Sequence, residues 1–475
     1  MIAFAWFVSC APPDESATDP PPEIVADACE DANYVAADSF LLTWCTSCHS
    51  SQVVGDDRYG APPGVNFDIP ASLADWADAA ADRTSDGSMP PAGGPSDEER
   101  QALVDWVACD LPGLPDATTV ADPCDLPTAH PGPAFASDSP CEGVVGMRID
   151  GDLTVDAAAD LSCVCDVAGS LACSAPTSAS MGRLQTVGGG VDVSACTAAS
   201  LPVLAEIGDN LHAAQGPLSV LTLPWLTNVA GEVRIADLPT LKQLRFFRLR
   251  DVGASLVVEG MDALEDLDDW SSLKTVGGDL RLEDLSSMQG TAPFLLLDAV
   301  GGELRVSELP SATVWAGLEG LRDAPNVAFT EMNSVPDLAT WPSWTGGVVE
   351  FRGLASLTDL PEIGSDAVLE SVTLADLPAL VSVDGFGSAE SMGRLDVARC
   401  STLPDLSGLD KVTIIRGDLV LHDLSTFNDL GLDALEVVEG DMILTEWPSL
   451  SLDGIVERLA GIDVGGTVTL VGLGP

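Results

Sequence analysis

The sequence predicts a multidomain protein: a small all-α domain followed by a parallel β-solenoid of about 23-residue repeats. Three observations lead there. The chain has 475 residues, beyond the ~250–300 at which a single hydrophobic core usually divides. From residue 151 onward an eight-residue phrase recurs at nearly fixed spacing, which is the signature of stacked repeats. Ahead of it, residues 29–112 contain short stretches with apolar residues at helical spacing.

Composition limits the partners. Asp and Glu total 74 against 20 Lys and Arg, a formal net charge of −54. Mean hydropathy is nevertheless +0.24, with 46% hydrophobic residues, so this is not a disordered acidic chain. Such a charge repels nucleic acid and anionic lipid headgroups and favours cationic partners, metal ions or a saline milieu. The simpler reading is an acidic surface that keeps the protein soluble. Of twelve cysteines only Cys400 lies beyond residue 200, and that clustering points to local roles in an oxidising compartment.

Residues 2–8 form an apolar run too short to span a bilayer. It ends in Phe7-Val8-Ser9-Cys10, which resembles the lipobox of bacterial lipoproteins. That resemblance implies an exported chain, 1–10 serving as signal segment and Cys10 as the lipidated residue. The membrane would then be met only through this anchor, and residues 11–28, rich in Pro and acidic residues, would be a flexible tether.

Within residues 29–112, Tyr34, Ala37, Leu41 and Trp44 share a helical face and lead into Trp44-Cys45-Thr46-Ser47-Cys48-His49. Cys-x-x-Cys-His reads as a covalent haem attachment site, in which two thiols one turn apart meet two vinyl groups and the next imidazole reaches the iron. Zinc and thioredoxin-like dithiol sites share its first part. Zinc needs a fourth ligand that no second Cys-x-x-Cys supplies, and a dithiol site would follow a strand. Residues 50–69 read as irregular loop, 72–83 as a short helix, and Ser96-Asp97-Glu98-Glu99 as a capping box opening a helix to about Cys109. Phe40, Trp44, Leu103 and Trp106 are the expected core.

This order, with Met89-Pro90-Pro91 before the last helix, resembles a class I-like cytochrome c domain. The resemblance implies one covalent haem c on Cys45 and Cys48, with His49 and Met89 as the two axial iron ligands. With both positions filled, iron has no vacancy for substrate, so the implied role is a one-electron carrier with a redox partner protein rather than an enzyme. Met89 also reads as a core methionine, and His130 as a rival ligand or a solvated linker residue. Cys29 and Cys109 flank the domain, and a disulfide between them would clip its ends.

Residues 113–140 are rich in Pro, Asp and Ala and read as a linker. Residues 141–475 form the repeats. The phrase is plainest at 231–238, 278–285, 302–309 and 417–424, beginning Gly-Glu/Asp and ending in Leu. Its third and fifth residues are apolar and alternate with polar ones, as in a strand with one face buried. The pattern resembles leucine-rich repeats, and more closely the receptor L-domain type, without a regular asparagine ladder. Cys196 and Cys400 fall on the inward eighth position and read as buried thiols. Cys141, Cys163, Cys165 and Cys173 lie where a solenoid needs a cap, which disulfides would seal.

No catalytic constellation emerges from the repeats. His212 and His422 are expected to face solvent with no nucleophile in register, and the acidic run 265–269 lacks the calcium-loop spacings. The expectation is an exported protein of the bacterial cell envelope, a monohaem electron carrier whose solenoid recognises a protein or surface ligand. The alternative is a non-redox cell-surface adhesion or binding protein with a small metal or disulfide module at its N-terminus.

Overall fold

The computed structural model of the chain describes residues 29, 37, 40–46, 49, 61–62, 64–67, 70–89, 95, 97–112, 114, 124 and 127–474, apart from 145, 243, 268–269, 290–293, 316, 339 and 449–451. The expected lipidation residue Cys10 and the second motif thiol Cys48 lie outside the described residues.

The N-terminal part is built from short helical pieces. Ala37 and Phe40 are helical, Leu41–Cys45 is a single π-helical turn, and α-helices run over Pro70–Ser85 and Asp97–Ala108. Proline opens the first of these, where its missing N–H costs no hydrogen bond. Asp97, Glu98 and Glu99 open the second, residue types favoured in the first turn of a helix. Ala37, Phe40, Leu41, Trp44, Leu73, Leu103 and Trp106 bury one another, Trp106 Nε1 donates to the Pro112 carbonyl at 2.9 Å, and a disulfide joins Cys29 to Cys109.

The expected class I-like cytochrome c domain is overturned. Among the described residues helix is confined to these few pieces, and no three His, Cys, Asp or Glu side chains converge as a metal-holding group. A Cys-x-x-Cys-His sequence is five residues long and is compatible with several surroundings. It does not specify a domain.

The rest is a parallel β-solenoid of about fourteen turns with repeats of about 23 residues. It begins at Thr128, inside the stretch read as linker: Thr128–His130 pairs with Met147–Ile149, and Ala134–Phe135 with Leu153–Thr154. One long sheet then runs coil by coil to Val468–Val471, with successive strands in parallel register, such as Leu256↔Leu280 and Leu280↔Leu304. A nine-stranded sheet of shorter strands forms a second side, and a four-stranded sheet from Ser178–Ser180 to Leu244–Arg245 a third. Helix is sparse in these coils, the α-helix Leu452–Leu459 near the far end being the longest described.

One coil shows why the phrase folds this way. Leu280 and Leu282 point inward, Leu285 and Met288 follow them at the next corner, and all four are fully buried. Gly277 and Gly301 precede the strands because coils touch there. A Cβ on either would lie 2.2 Å from the carbonyl oxygen of the glycine one coil earlier. The phrase's seventh residue turns the corner in the left-handed region: Asp237, Asp284, Glu308 and Asp423 have φ of 53 to 57°. Acidic residues hold most of these corners, although a left-handed conformation is uncommon outside glycine.

A side-chain ladder also runs along the coils, assembled from mixed residues, Asn210 among them, in place of a regular asparagine run. Asp152 Oδ1 accepts from the Ser170 N–H at 2.8 Å, Ser255 Oγ from the Asp279 N–H at 3.0 Å, Asp279 Oδ1 from the Glu303 N–H at 2.9 Å, and Asp441 Oδ1 from the Thr467 N–H at 2.7 Å. Any short side chain with an acceptor oxygen satisfies the amide of the next coil.

Disulfides fasten the first coils: Cys124–Cys165, Cys141–Cys163 and Cys173–Cys196. Cys196 is therefore not the buried thiol its inward position implied. Its position lies one coil from that of Cys173, close enough to bridge. Cys400 has no such neighbour, remains a buried thiol, and burial pushes its pKa up to about 12.

Candidate functional site

The Cys45–His49 turn is held from three directions. Thr46 N–H donates to the Leu41 carbonyl at 3.0 Å, closing the π-turn, and His49 N–H donates to the Cys45 carbonyl at 2.8 Å. Cys45 and His49 therefore sit on one helical turn. Cys45 is half-buried. The His49 ring stacks on Phe67 with centroids 4.9 Å apart, and Phe67 N–H donates to the His49 carbonyl at 2.7 Å.

The third hold comes from the solenoid. Thr46 is buried, and Trp225 Nε1, 179 residues away in sequence, donates to its hydroxyl at 3.1 Å. Trp225 occupies the turn between strands Val220–Thr222 and Asn228–Val229. Arg248, in the matching turn one coil later, lies over the Trp225 ring at 4.6 Å. Sequence reasoning missed Trp225, for only the fold brings it to the motif.

The remaining expected site residues are dispersed. Met89 is half-buried just past the end of the helix Pro70–Ser85, its N–H donating to the Arg83 carbonyl at 3.0 Å and its carbonyl accepting from Arg100 Nη1 at 3.2 Å. His130 belongs to a paired strand of the first coil and is half-buried, so it is not a linker residue. His422 Nδ1 lies 2.7 Å from Thr445 Oγ1, and His212 Nδ1 lies 3.8 Å from Asp192, both on the outward face of the long sheet.

That outward face carries an ordered charge pattern. Arg281 reaches Asp279 at 2.8 Å and Glu303 at 3.8 Å, while Arg305 reaches Glu303 at 2.8 Å and Glu283 at 3.8 Å. Arg234 pairs with Glu259, Arg352 with Glu350 at 2.9 Å, and Arg394 with Asp396 at 3.1 Å and Asp418 at 3.4 Å. These groups remain partly exposed, so each pair adds little stability. What they fix is the position of charge. Along the left-handed corner, a two-bonded contact from Arg399 holds the Asp376 carboxyl below the usual carboxylate range. A shallow groove of about 330 Å³ runs across the same sheet between Asp192, Asn210, His212 and Arg234.

Among the described residues no helix is long and apolar enough to cross a membrane. No protein-family model, curated protein or solved structure matches the chain.

Proposed function

We propose that the protein is an exported recognition scaffold of the bacterial cell envelope, anchored through Cys10, whose solenoid presents the long sheet's outward face to a protein or surface ligand. The observation that carries this reading is the ion-pair lattice from Arg234 to Arg394. Fixed, partly exposed charges of both signs on a rigid sheet can discriminate among ligands, whereas the acidic surface elsewhere acts mainly by repulsion. The test is binding of the purified full chain to envelope preparations of its own organism. Arg281→Glu with Arg305→Glu is expected to reduce binding at least about tenfold, roughly the loss of one desolvated charge contact. Unchanged binding would refute the reading.

A second reading, single-electron transfer to a redox partner protein, is favoured by the placement of Cys45 and His49 on one turn. Cys45 and Cys48 would hold one haem c through thioethers and His49 would ligate its iron, with Met89 the candidate second axial residue. Such a group supplies one-electron exchange when bound. This chain's own residues would hold the imbedded turn: Phe67 orients the imidazole and Thr46 fixes the backbone between thiol and ligand. Expression alongside haem-maturation machinery is expected to give haem that stays with the chain on denaturing gels and is lost in Cys45→Ala with Cys48→Ala. Its absence from the parent chain would sink this reading alone.

A further inference from the structure

Cations are scarce in this protein, 20 in 475 residues, yet Lys242, Arg245, Arg248 and Arg250 fall within nine positions. The coils stack them further. Arg250 and Lys274 hold equivalent places in consecutive coils, the Lys274 N–H donating to the Arg250 carbonyl at 2.8 Å. Lys242, Arg250 and Lys274 are exposed, and Arg248 lies half-buried on Trp225. Most arginines of the solenoid's long sheet are paired with a carboxylate. Among the described residues no ion pair engages Lys242, Arg248, Arg250 or Lys274. This cluster adjoins the turn that touches Thr46.

We propose that Trp225 and Arg248, with the cations of their own and the next coil, form a docking surface for the chain's own acidic N-terminal module, and that it grips the module by the Cys45–His49 turn. Three features of the surface match that occupant. Residues 29–112 contain fifteen Asp and Glu against three Arg, so the module is attracted to this cationic cluster. Thr46 supplies a buried hydroxyl to the indole N–H, a polar contact with defined geometry. Arg248 stacks on the same indole from its own coil, so the donor is held in place before the module arrives. The clamp governs the placement of the turn and is independent of what the turn carries.

Hydrogen exchange of the full chain tests this through the Thr46 and His49 amides. Trp225→Phe keeps an aromatic ring beneath Arg248 and removes the N–H donor; Thr46→Val removes the acceptor. Each is expected to speed exchange of these amides about fivefold, roughly what one hydrogen bond contributes. The two together should be no faster than either alone, since both delete the same bond. Arg248→Glu should also speed exchange, and raising salt from about 0.05 to 0.5 M should do so in the parent chain, because the electrostatic part is screened. Rates within twofold of the parent in both single variants would overturn the proposal. So would effects that multiply in the double variant, since they would mean that the two residues act separately. Amides of Leu211–Ala214 report whether the solenoid stays folded in each variant, and the double-variant comparison reads the contact even if Trp225→Phe loosens its coil.

Discussion

The helical module and the solenoid solve the same problem by different means. Among the described residues seven buried side chains form the module's core, and a disulfide spanning 80 residues closes it. The solenoid has a single apolar core that runs without a break from Ala134 to Ile455, and each coil is covered by its neighbours. Small cores need covalent help, whereas stacked repeats gain stability from each added interface. The cysteines follow this division. They staple the module and the solenoid's first coils, and farther along the solenoid Cys400 remains a buried thiol.

Breaking the comparison should begin with its weakest half. Cys29→Ser opens an 80-residue loop and is expected to cost the module roughly 4 kcal/mol, enough to melt it while the solenoid remains folded. Thermal unfolding followed by circular dichroism would then show the helical signal lost first; a single unchanged transition would deny the module its dependence on the disulfide. Leu282→Ala empties a fully buried position in one mid-solenoid coil, with an expected cost of about 3 kcal/mol. Because neighbouring coils share one core, denaturant unfolding of the solenoid as a whole should shift to a lower midpoint. A change confined to the altered coil would show the coils to be only weakly coupled.

The smallest effect sharpens the electrostatic side. Hydrogen bonds from Arg399, with its charge, lower the Asp376 pKa. A carboxyl whose folded pKa is depressed contributes stability above its unfolded pKa and loses that contribution as pH falls through the folded value. Asp376→Asn should therefore destabilise at neutral pH by less than about 1 kcal/mol, as befits an exposed pair, and match the parent chain in strong acid. Calorimetry at several pH values checks this, and a deficit that persists in acid would assign the effect to packing.

The solenoid was legible because its signal is periodic. Gly278 and Gly302 announce their strands, Leu280 and Leu282 show the buried face, and the spacing repeats often enough to be read despite looser copies. The corner conformation at Asp284 was hidden, since a left-handed acidic residue looks like any polar one. The ladder was hidden because Asp152, Ser255 and Asp279 do the same work with different side chains. At the other end, Cys45-Thr46-Ser47-Cys48-His49 carried a chemical signal without a structural one, and it suggested a domain class that the surrounding residues do not form. The contact from Trp225 to Thr46 could not be read at all. It joins residues 179 positions apart and exists only once the coils are stacked.

The close stacking at Gly277 and Gly301 makes the solenoid a ruler. Parallel strands lie ~4.8 Å apart, so about fourteen turns extend on the order of 65 Å. Since several coils hand the chain to the next through a close glycine contact, as at Gly277 and Gly301, and most through a left-handed corner, whole coils can be added or removed with little disturbance to those on either side. A lineage could thus change how far the Cys45–His49 turn stands from the solenoid's far end in steps of one strand spacing, leaving both the turn and its dock untouched.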